Sequence, residues 1–182
     1  MIKIEQIDTR KKSHVKRFID IPFRLYKDIP QWVPPIQVDI QAQLNKDKHP
    51  FYEHSDADFF IASADGRDVG RLAALENRAF NRYHGTRQAQ LYFFESENDF
   101  EIARSLFDRL FEWAHARGLD TVVGPKGFGA LDGYGMQIEG FEHRQMMTMM
   151  NYNLPYYPAF MERLGFRKEV DFVSCYIHTP DF

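Results

Sequence analysis

The stretch Asp99-Phe100-Glu101-Ile102-Ala103-Arg104-Ser105-Leu106-Phe107-Asp108-Arg109-Leu110-Phe111-Glu112-Trp113-Ala114-His115-Ala116-Arg117-Gly118, followed closely by Thr121-Val122-Val123, decides the fold. Ala103, Leu106, Phe107, Leu110, Phe111 and Ala114 recur at i, i+3, i+4 and i+7, the spacing that lines apolar side chains along one face of a helix. Asn98 or Asp99 can cap its start, and Gly118 supplies the positive φ that ends it. Arg104, Asp108 and Glu112 form an i, i+4 charge row on the solvent side. The spacing therefore predicts a helix from about Asp99 to Arg117, and Thr121 to Val123 a short buried strand that Gly124-Pro125 stops. Strand, helix, strand in that order implies a right-handed parallel crossover.

Upstream, Leu91 to Phe94 reads as the strand that enters this helix, and the polar stretch from Asn81 to Gln88 as a turn before it. Val69 to Leu75 pairs back on Phe59 to Ser63 through Ala64-Asp65-Gly66-Arg67, because Asp-Gly supplies the positive φ of a tight hairpin turn. Ile2 and Ile4 alternate with Lys3 and Glu5, the period of a half-buried strand. Val15, Phe18 and Ile19 sit at helical spacing after Ser13, a candidate cap, and Pro22 opens a second short turn. Pro30, Pro34 and Pro35 exclude a regular helix over 29–35, and a helix follows from about Ile36 to Leu44. Downstream, a last helix is expected from Phe160 to Leu164, closing at Gly165, and a final strand from Phe172 to Ile177. The class is α+β: a mixed, mainly antiparallel central sheet flanked by helices.

Composition narrows the function. The 182 residues are 44% hydrophobic and 27% charged, which excludes a disordered chain and fits one globular domain. A net charge of -3 argues against nucleic acid as a partner, since phosphate binding needs a basic surface. No apolar run approaches the roughly 20 residues that span a bilayer, so no membrane partner is expected. The alternating N-terminus does not read as a signal peptide. One cysteine, Cys175, forms no internal disulfide, suits a reducing cytoplasmic setting, and is expected as a small buried hydrophobe. The aromatic content is 15%, more ring area than a minimal core requires, and it points to a pocket or an interface. Six of the eleven glycines fall between Gly124 and Gly140, and four of the seven methionines (Met146, Met147, Met149, Met150) follow directly.

Three stretches carry a resemblance. They are Phe18-Ile19-Asp20-Ile21-Pro22-Phe23-Arg24-Leu25-Tyr26 with Trp32-Val33-Pro34-Pro35; Gly124-Pro125-Lys126-Gly127-Phe128 with Gly135-Met136-Gln137-Ile138-Glu139-Gly140-Phe141; and Asn151-Tyr152-Asn153-Leu154-Pro155-Tyr156-Tyr157. With the order of elements and the ending Phe160-Met161-Glu162-Arg163-Leu164-Gly165-Phe166, the chain resembles a bacterial group of GNAT-like (acyl-CoA N-acyltransferase) proteins of unassigned substrate. The resemblance implies acetyl-CoA or another acyl-CoA as donor and a small amine or amino acid as acceptor. It also implies that residues 1–182 form one GNAT-like domain, the N-terminal half of a longer architecture, with a second GNAT-like half or a homodimer as partner.

The site residues follow from that frame. A GNAT domain holds the CoA diphosphate on the glycine-rich N-terminus of its central helix. Here that segment, Phe94-Glu95-Ser96-Glu97-Asn98-Asp99-Phe100-Glu101, has no glycine and four carboxylates, which read as caps and charge balance for the helix start. Phe93, Phe94 and Asn98 are left as the cofactor-side candidates. Where many GNAT enzymes carry a proton-donating tyrosine, this chain has Met161, so Tyr156 and Tyr157 become the catalytic candidates, with aromatic packing as their alternative. The glycine-rich segment lacks the Gly-Lys-Ser/Thr of a P-loop. Its Lys126, Phe128 and Asp132, with Trp32 and Asn151, are the substrate-side candidates, and Asp132, Glu139 or His143 can serve as a base, with Glu139 as the catalytic candidate. His49 and His54 lack a third ligand, so no metal is expected. Arg78, Arg82, His84 and Arg87 form a small basic patch. Three functions compete: acyl transfer, a non-catalytic GNAT-like half, and a small-molecule binder with its ligand between the glycine loop and the aromatics.

Overall fold

The computed structural model describes residues 1–129, 131–145 and 150–175. Strand β1 (Lys3–Gln6) leads into helices α1 (Lys12–Leu25) and α2 (Gln37–Leu44), then a 3-10 turn at Pro50–Glu53. Strands β2 (Asp56–Ala64) and β3 (Arg67–Glu76) form the hairpin, with Asp65 and Gly66 both at positive φ. Helix α3 (Arg78–His84), β4 (Gln88–Ser96), α4 (Phe100–His115), β5 (Thr121–Val123) and α5 (Tyr157–Arg163) follow. The sheet order is β1-β2-β3-β4-β5; the first four strands run antiparallel to their neighbours and β5 is parallel to β4. The expected α+β sheet with its crossover helix is therefore present.

Period-two alternation divides the core. Phe60, Leu72, Ala74 and Leu91 face Ala103, Leu106, Phe107, Leu110 and Trp113 of α4. Phe59, Ile61, Ala73 and Leu75 face Phe18, Ile19, Ile40 and Leu44 of α1 and α2. Each large side chain taken wholly from water on either face contributes about 1.5–3 kcal/mol. No helix among the described residues is long and apolar enough to cross a membrane.

Five local expectations are corrected. The region read as a turn begins with α3: Asn77 accepts from the Phe80 N–H and Gly85 ends the helix at φ 66, while only Asn81 is buried, so no apolar stripe announces it. Pro22 does not open a new turn but lies inside α1, and Ser13 is not its cap, since the helix starts after Lys11 without a side-chain cap. The final strand is not formed: 172–175 are exposed irregular chain with no neighbouring strand, and 176–177 lie outside the described residues. Cys175 is exposed, not a buried hydrophobe, because the strand meant to bury it does not form. Met146, Met147 and Met149 also lie outside the described residues.

Candidate functional site

The site starts where two parallel strands part. Thr121, Val122 and Val123 pair with Gln88, Ala89 and Gln90. Beyond them Gly124, at φ 144, lets the chain pass so close to β4 that a Cβ there would lie 2.6 Å from the Leu91 carbonyl oxygen. One more link, from the Lys126 N–H to that same carbonyl at 2.9 Å, precedes the departure of the chain into the glycine-rich segment.

β4 bulges just past this point. Its register against β3 runs from Ala73↔Tyr92 to Arg71↔Glu95, so β4 holds one residue more than β3 between the two pairs, and Phe93 takes φ 51. The bulge sends Phe93 against Phe18 and Phe128 on one face and Phe94 against Phe107 and Tyr157 on the other.

Glu95 then turns into the protein with 13% of its side chain exposed. One of its carboxylate oxygens accepts from the Tyr26 hydroxyl at 2.8 Å and from the Tyr157 hydroxyl at 2.9 Å. Arg71, 3% exposed, stands 3.8 Å from the other oxygen and lies over the rings of Phe18 and Phe93 at 4.9 and 5.1 Å. Pro22 explains how Arg71 is held. A proline has no N–H to give the carbonyl four residues back. The freed Phe18 carbonyl accepts instead from Arg71 Nη1 at 2.9 Å. Burial pushes the Glu95 carboxyl above its usual range, against the opposing pull of Arg71 and the two tyrosines. Burial and the Glu95 charge raise both Tyr26 and Tyr157, so these hydroxyls stay protonated as donors.

The next residues close the strand end. The Tyr157 hydroxyl accepts from the Ser96 N–H at 2.8 Å, and the Tyr156 hydroxyl donates to the Ser96 carbonyl at 2.6 Å. Burial, then the charges of Glu95 and Glu97, hold Tyr156 protonated as well. Glu97 pairs with Arg24 and Arg67. Asp99 accepts from the Glu101 N–H at 2.9 Å, its carbonyl takes the Ile102 and Ala103 N–H groups, and Glu101 pairs with Arg104. Of the acids expected to cap and balance the start of α4, Asp99 caps it and Glu101 pairs with Arg104 on it, whereas Glu97 bonds the arginines of α1 and β3 and Glu95 serves the interior.

No family model matches the chain. It is 27% identical over 170 residues to Protein YghO of Escherichia coli (strain K12), a match covering 93% of this chain and 43% of that protein. It is 28% identical over 166 residues to the bacterial ceramide synthase of Caulobacter vibrioides, covering 91% of this chain and 43% of the relative. The chain thus spans less than half the length of these curated relatives. Among solved structures, a tandem GNAT protein from the clavulanic acid biosynthesis pathway superposes with a TM-score of 0.61 at 16% identity, over 91% of this chain and 43% of that one. A predicted acetyltransferase from Clostridium acetobutylicum, solved with acetyl-CoA, superposes with a TM-score of 0.56 at 11% identity, over 97% and 96%.

The chain has the GNAT fold. The parting of β4 and β5 lies just beyond the Leu91–Lys126 link. Phe93 and Phe94 form the bulge at its edge, and Asn98 is exposed on the segment before α4. Tyr156 and Tyr157 come together at Ser96, whereas Glu139 is exposed on the glycine-rich segment. Trp32 stacks on Tyr26 with centroids 4.9 Å apart and so backs the Glu95 cluster. The ring of Phe128 is buried between Phe51, Phe59 and Phe93. Asp132 accepts from the Gly129 N–H and from Gln43, and Asn151 donates to the Gly135 carbonyl, so both also brace the loop. Lys126 lies over the Phe80 ring at 3.9 Å, and burial lowers its pKa. A shallow, open depression beside the loop is lined by Phe80, Tyr83, His84, Phe128 and Leu131. His49 Nδ1 accepts from the Phe51 N–H and His54 meets Ser55, which occupies both histidines locally. Sequence reasoning missed Glu95 and Arg71 as site members, because the bulge at Phe93 resets the alternation of β4 just before Glu95.

Proposed function

We propose that the chain is an acyl-transfer unit of the N-acyltransferase class, taking an acyl thioester and an amine at the opening between β4 and β5. The observation that supports it is the parting of those strands at the Phe93 bulge, beside hydroxyls held at one strand end, on a GNAT fold. Acyl-CoA supplies the activated carbonyl; the C–N bond forms as the C–S bond breaks, the amine gives up a proton, and the thiolate takes one. Tyr156, the half-buried member of the pair, holds a proton at the strand end where a thiolate is to be protonated. Tyr157 and Glu95 position it: they fix the Ser96 peptide to which Tyr156 is bonded. Lys126, Phe128, Asp132, Asn151 and Trp32 frame the acceptor side, with Glu139 as the exposed carboxylate available to take up the amine proton.

The start of α4 does not fit a diphosphate. The Glu101, Ile102 and Ala103 N–H groups are taken by Asp99, and Glu97, Asp99 and Glu101 bring like charge to the place where the ligand is anionic. This observation favours a second reading, a non-catalytic GNAT-like half. Calorimetry with acetyl-CoA at about millimolar concentration, followed by mass-spectrometric detection of N-acyl product over a panel of amines, separates the two. The name of the ceramide synthase relative puts a long-chain amino alcohol in that panel. Product formation supports acyl transfer; absence of both binding and product removes it in favour of the second reading.

A further inference from the structure

Among the described residues, Asp65 and Phe93 are the non-glycine residues at positive φ. Asp65 sits in the β2–β3 hairpin turn, where that conformation is required. Phe93 has no turn to account for it. It holds φ 51 within β4, where its Cβ crowds the neighbouring peptide, so its surroundings must fix it there. The bulge lies between Tyr92, opposite Ala73, and Glu95, opposite Arg71. The Arg71 side chain reaches across it. Its guanidinium meets the Phe93 ring at 5.1 Å and the Phe18 ring at 4.9 Å, Nη1 donates to the Phe18 carbonyl at 2.9 Å, and Nη2 stands 3.8 Å from the Glu95 carboxylate. Phe18 is wholly buried in α1, with its ring edge-on to that of Phe93. One guanidinium thus ties two residues of the bulged segment to α1.

Stability is a poor reason for this arrangement. Arg71 Nε has no partner, and Nη2 stands beyond hydrogen-bond reach of Glu95, so the buried guanidinium recovers little of what its desolvation costs. What it does supply is placement. From Glu95 the contacts run on to the Tyr157 hydroxyl, which accepts from the Ser96 N–H, and the Ser96 carbonyl takes the Tyr156 hydroxyl. We propose that Arg71 is the positioning residue of the β4–β5 opening: it sets the bulge at Phe93 and, through Glu95, the place of the Tyr156 hydroxyl. Being 3% exposed, it does so without touching a reactant. The proposal rests on the acyl-transfer reading of that opening.

Two variants of the whole chain test it. Arg71→Lys keeps the charge, but a compact ammonium cannot bond the Phe18 carbonyl and cover the Phe93 ring at once. Arg71→Met with Glu95→Leu replaces the pair by apolar side chains, which keeps the interior filled while the tie is lost. Melting curves establish that each chain is folded at the assay temperature. Steady-state kinetics use the acyl-CoA and amine for which the wild type forms product. The expected result is a kcat lower by about 100-fold in the double variant and at least about tenfold in Arg71→Lys, with KM for acyl-CoA within about twofold, because a misplaced group costs the chemical step rather than binding. Hydrogen exchange supplies a readout independent of turnover. The amides of 94–96 should exchange at least about tenfold faster in the double variant relative to those of 72–75, which a uniform loss of stability would not produce. Wild-type kcat in either folded variant, a loss confined to KM, or unchanged relative exchange at the bulge overturns the role of Arg71 alone. A wild-type chain that acylates no amine overturns the acyl-transfer reading, and the positioning role falls with it.

Discussion

Glu95 and Glu97 stand two residues apart at one strand end, yet the clusters they anchor obey opposite rules. Glu95 is taken from water and held by Arg71, Tyr26 and Tyr157, and burial raises its pKa. Glu97 lies at the surface, where burial also pushes it up but Arg67 and Arg24 outweigh that and hold it below the usual carboxylate range. The inner cluster therefore gives a defined geometry at an electrostatic cost, since a charge pair removed from water repays its desolvation only when its bonds are nearly complete. Arg71 does not complete them: its Nε has no partner and the pair is 3.8 Å apart. The outer cluster costs little and specifies little, being solvated and screened by salt.

The sharpest way to break this contrast is Arg71→Ala. Removing one member of a buried pair leaves the other charge uncompensated, and a loss of about 3–5 kcal/mol of unfolding free energy is expected in urea titrations. If the inner cluster is retained for geometry rather than stability, Arg71→Met combined with Glu95→Leu recovers most of that loss. A double variant as unstable as Arg71→Ala would show that the pair itself holds the fold. Tyr157→Phe comes next. It strips a donor from Glu95 and an acceptor from the buried Ser96 N–H, and about 1–3 kcal/mol is expected from groups left unpaired. The same titration checks it, and a loss below about 0.5 kcal/mol would mean that water replaces the hydroxyl.

How far these clusters were legible depended on the sequence distance of their parts. The α4 crossover and the Asp65-Gly66 hairpin follow from residues within a turn or two of one another, and both are present. Asp99 could be read as a cap because its partner, Glu101, is two residues away. Glu95 could not be read, because Tyr26 and Tyr157 lie 69 and 62 positions off and nothing local distinguishes a carboxylate that turns inward from one that caps a helix. Pro22 misled for a related reason: its missing N–H looks like a break until Arg71, far along the chain, uses the carbonyl it frees. The tail failed in the other direction. Phe172 to Cys175 has the local pattern of a strand, but a strand also needs a partner strand, which no local pattern reports. Of the proposed catalytic set, the two tyrosines were legible as neighbours in sequence, whereas Glu139 is carried away from them on the glycine-rich segment.

The smallest expected effect is the one that tests the sign of the contrast. Glu97→Gln at neutral pH should cost no more than about 1 kcal/mol, as for other exposed ion pairs, and less in high salt. Its pH dependence is more telling than its size. A carboxylate whose folded pKa lies below its unfolded value adds stability above the unfolded value and loses it as the pH falls through the folded one. The gap between wild type and Glu97→Gln should therefore close on acidification below the usual carboxylate range. Glu95 has the opposite sign. With its folded pKa above the unfolded value, the wild type loses stability as the pH rises from the carboxylate range through that raised pKa, while Glu95→Gln does not. The gap between wild type and Glu95→Gln should accordingly narrow as the pH increases. Melting curves of the three chains across the acid and neutral range decide the matter. Parallel pH profiles for the two variants would mean that Glu95 is as well solvated as Glu97, and the distinction between an inner and an outer cluster would fall with it.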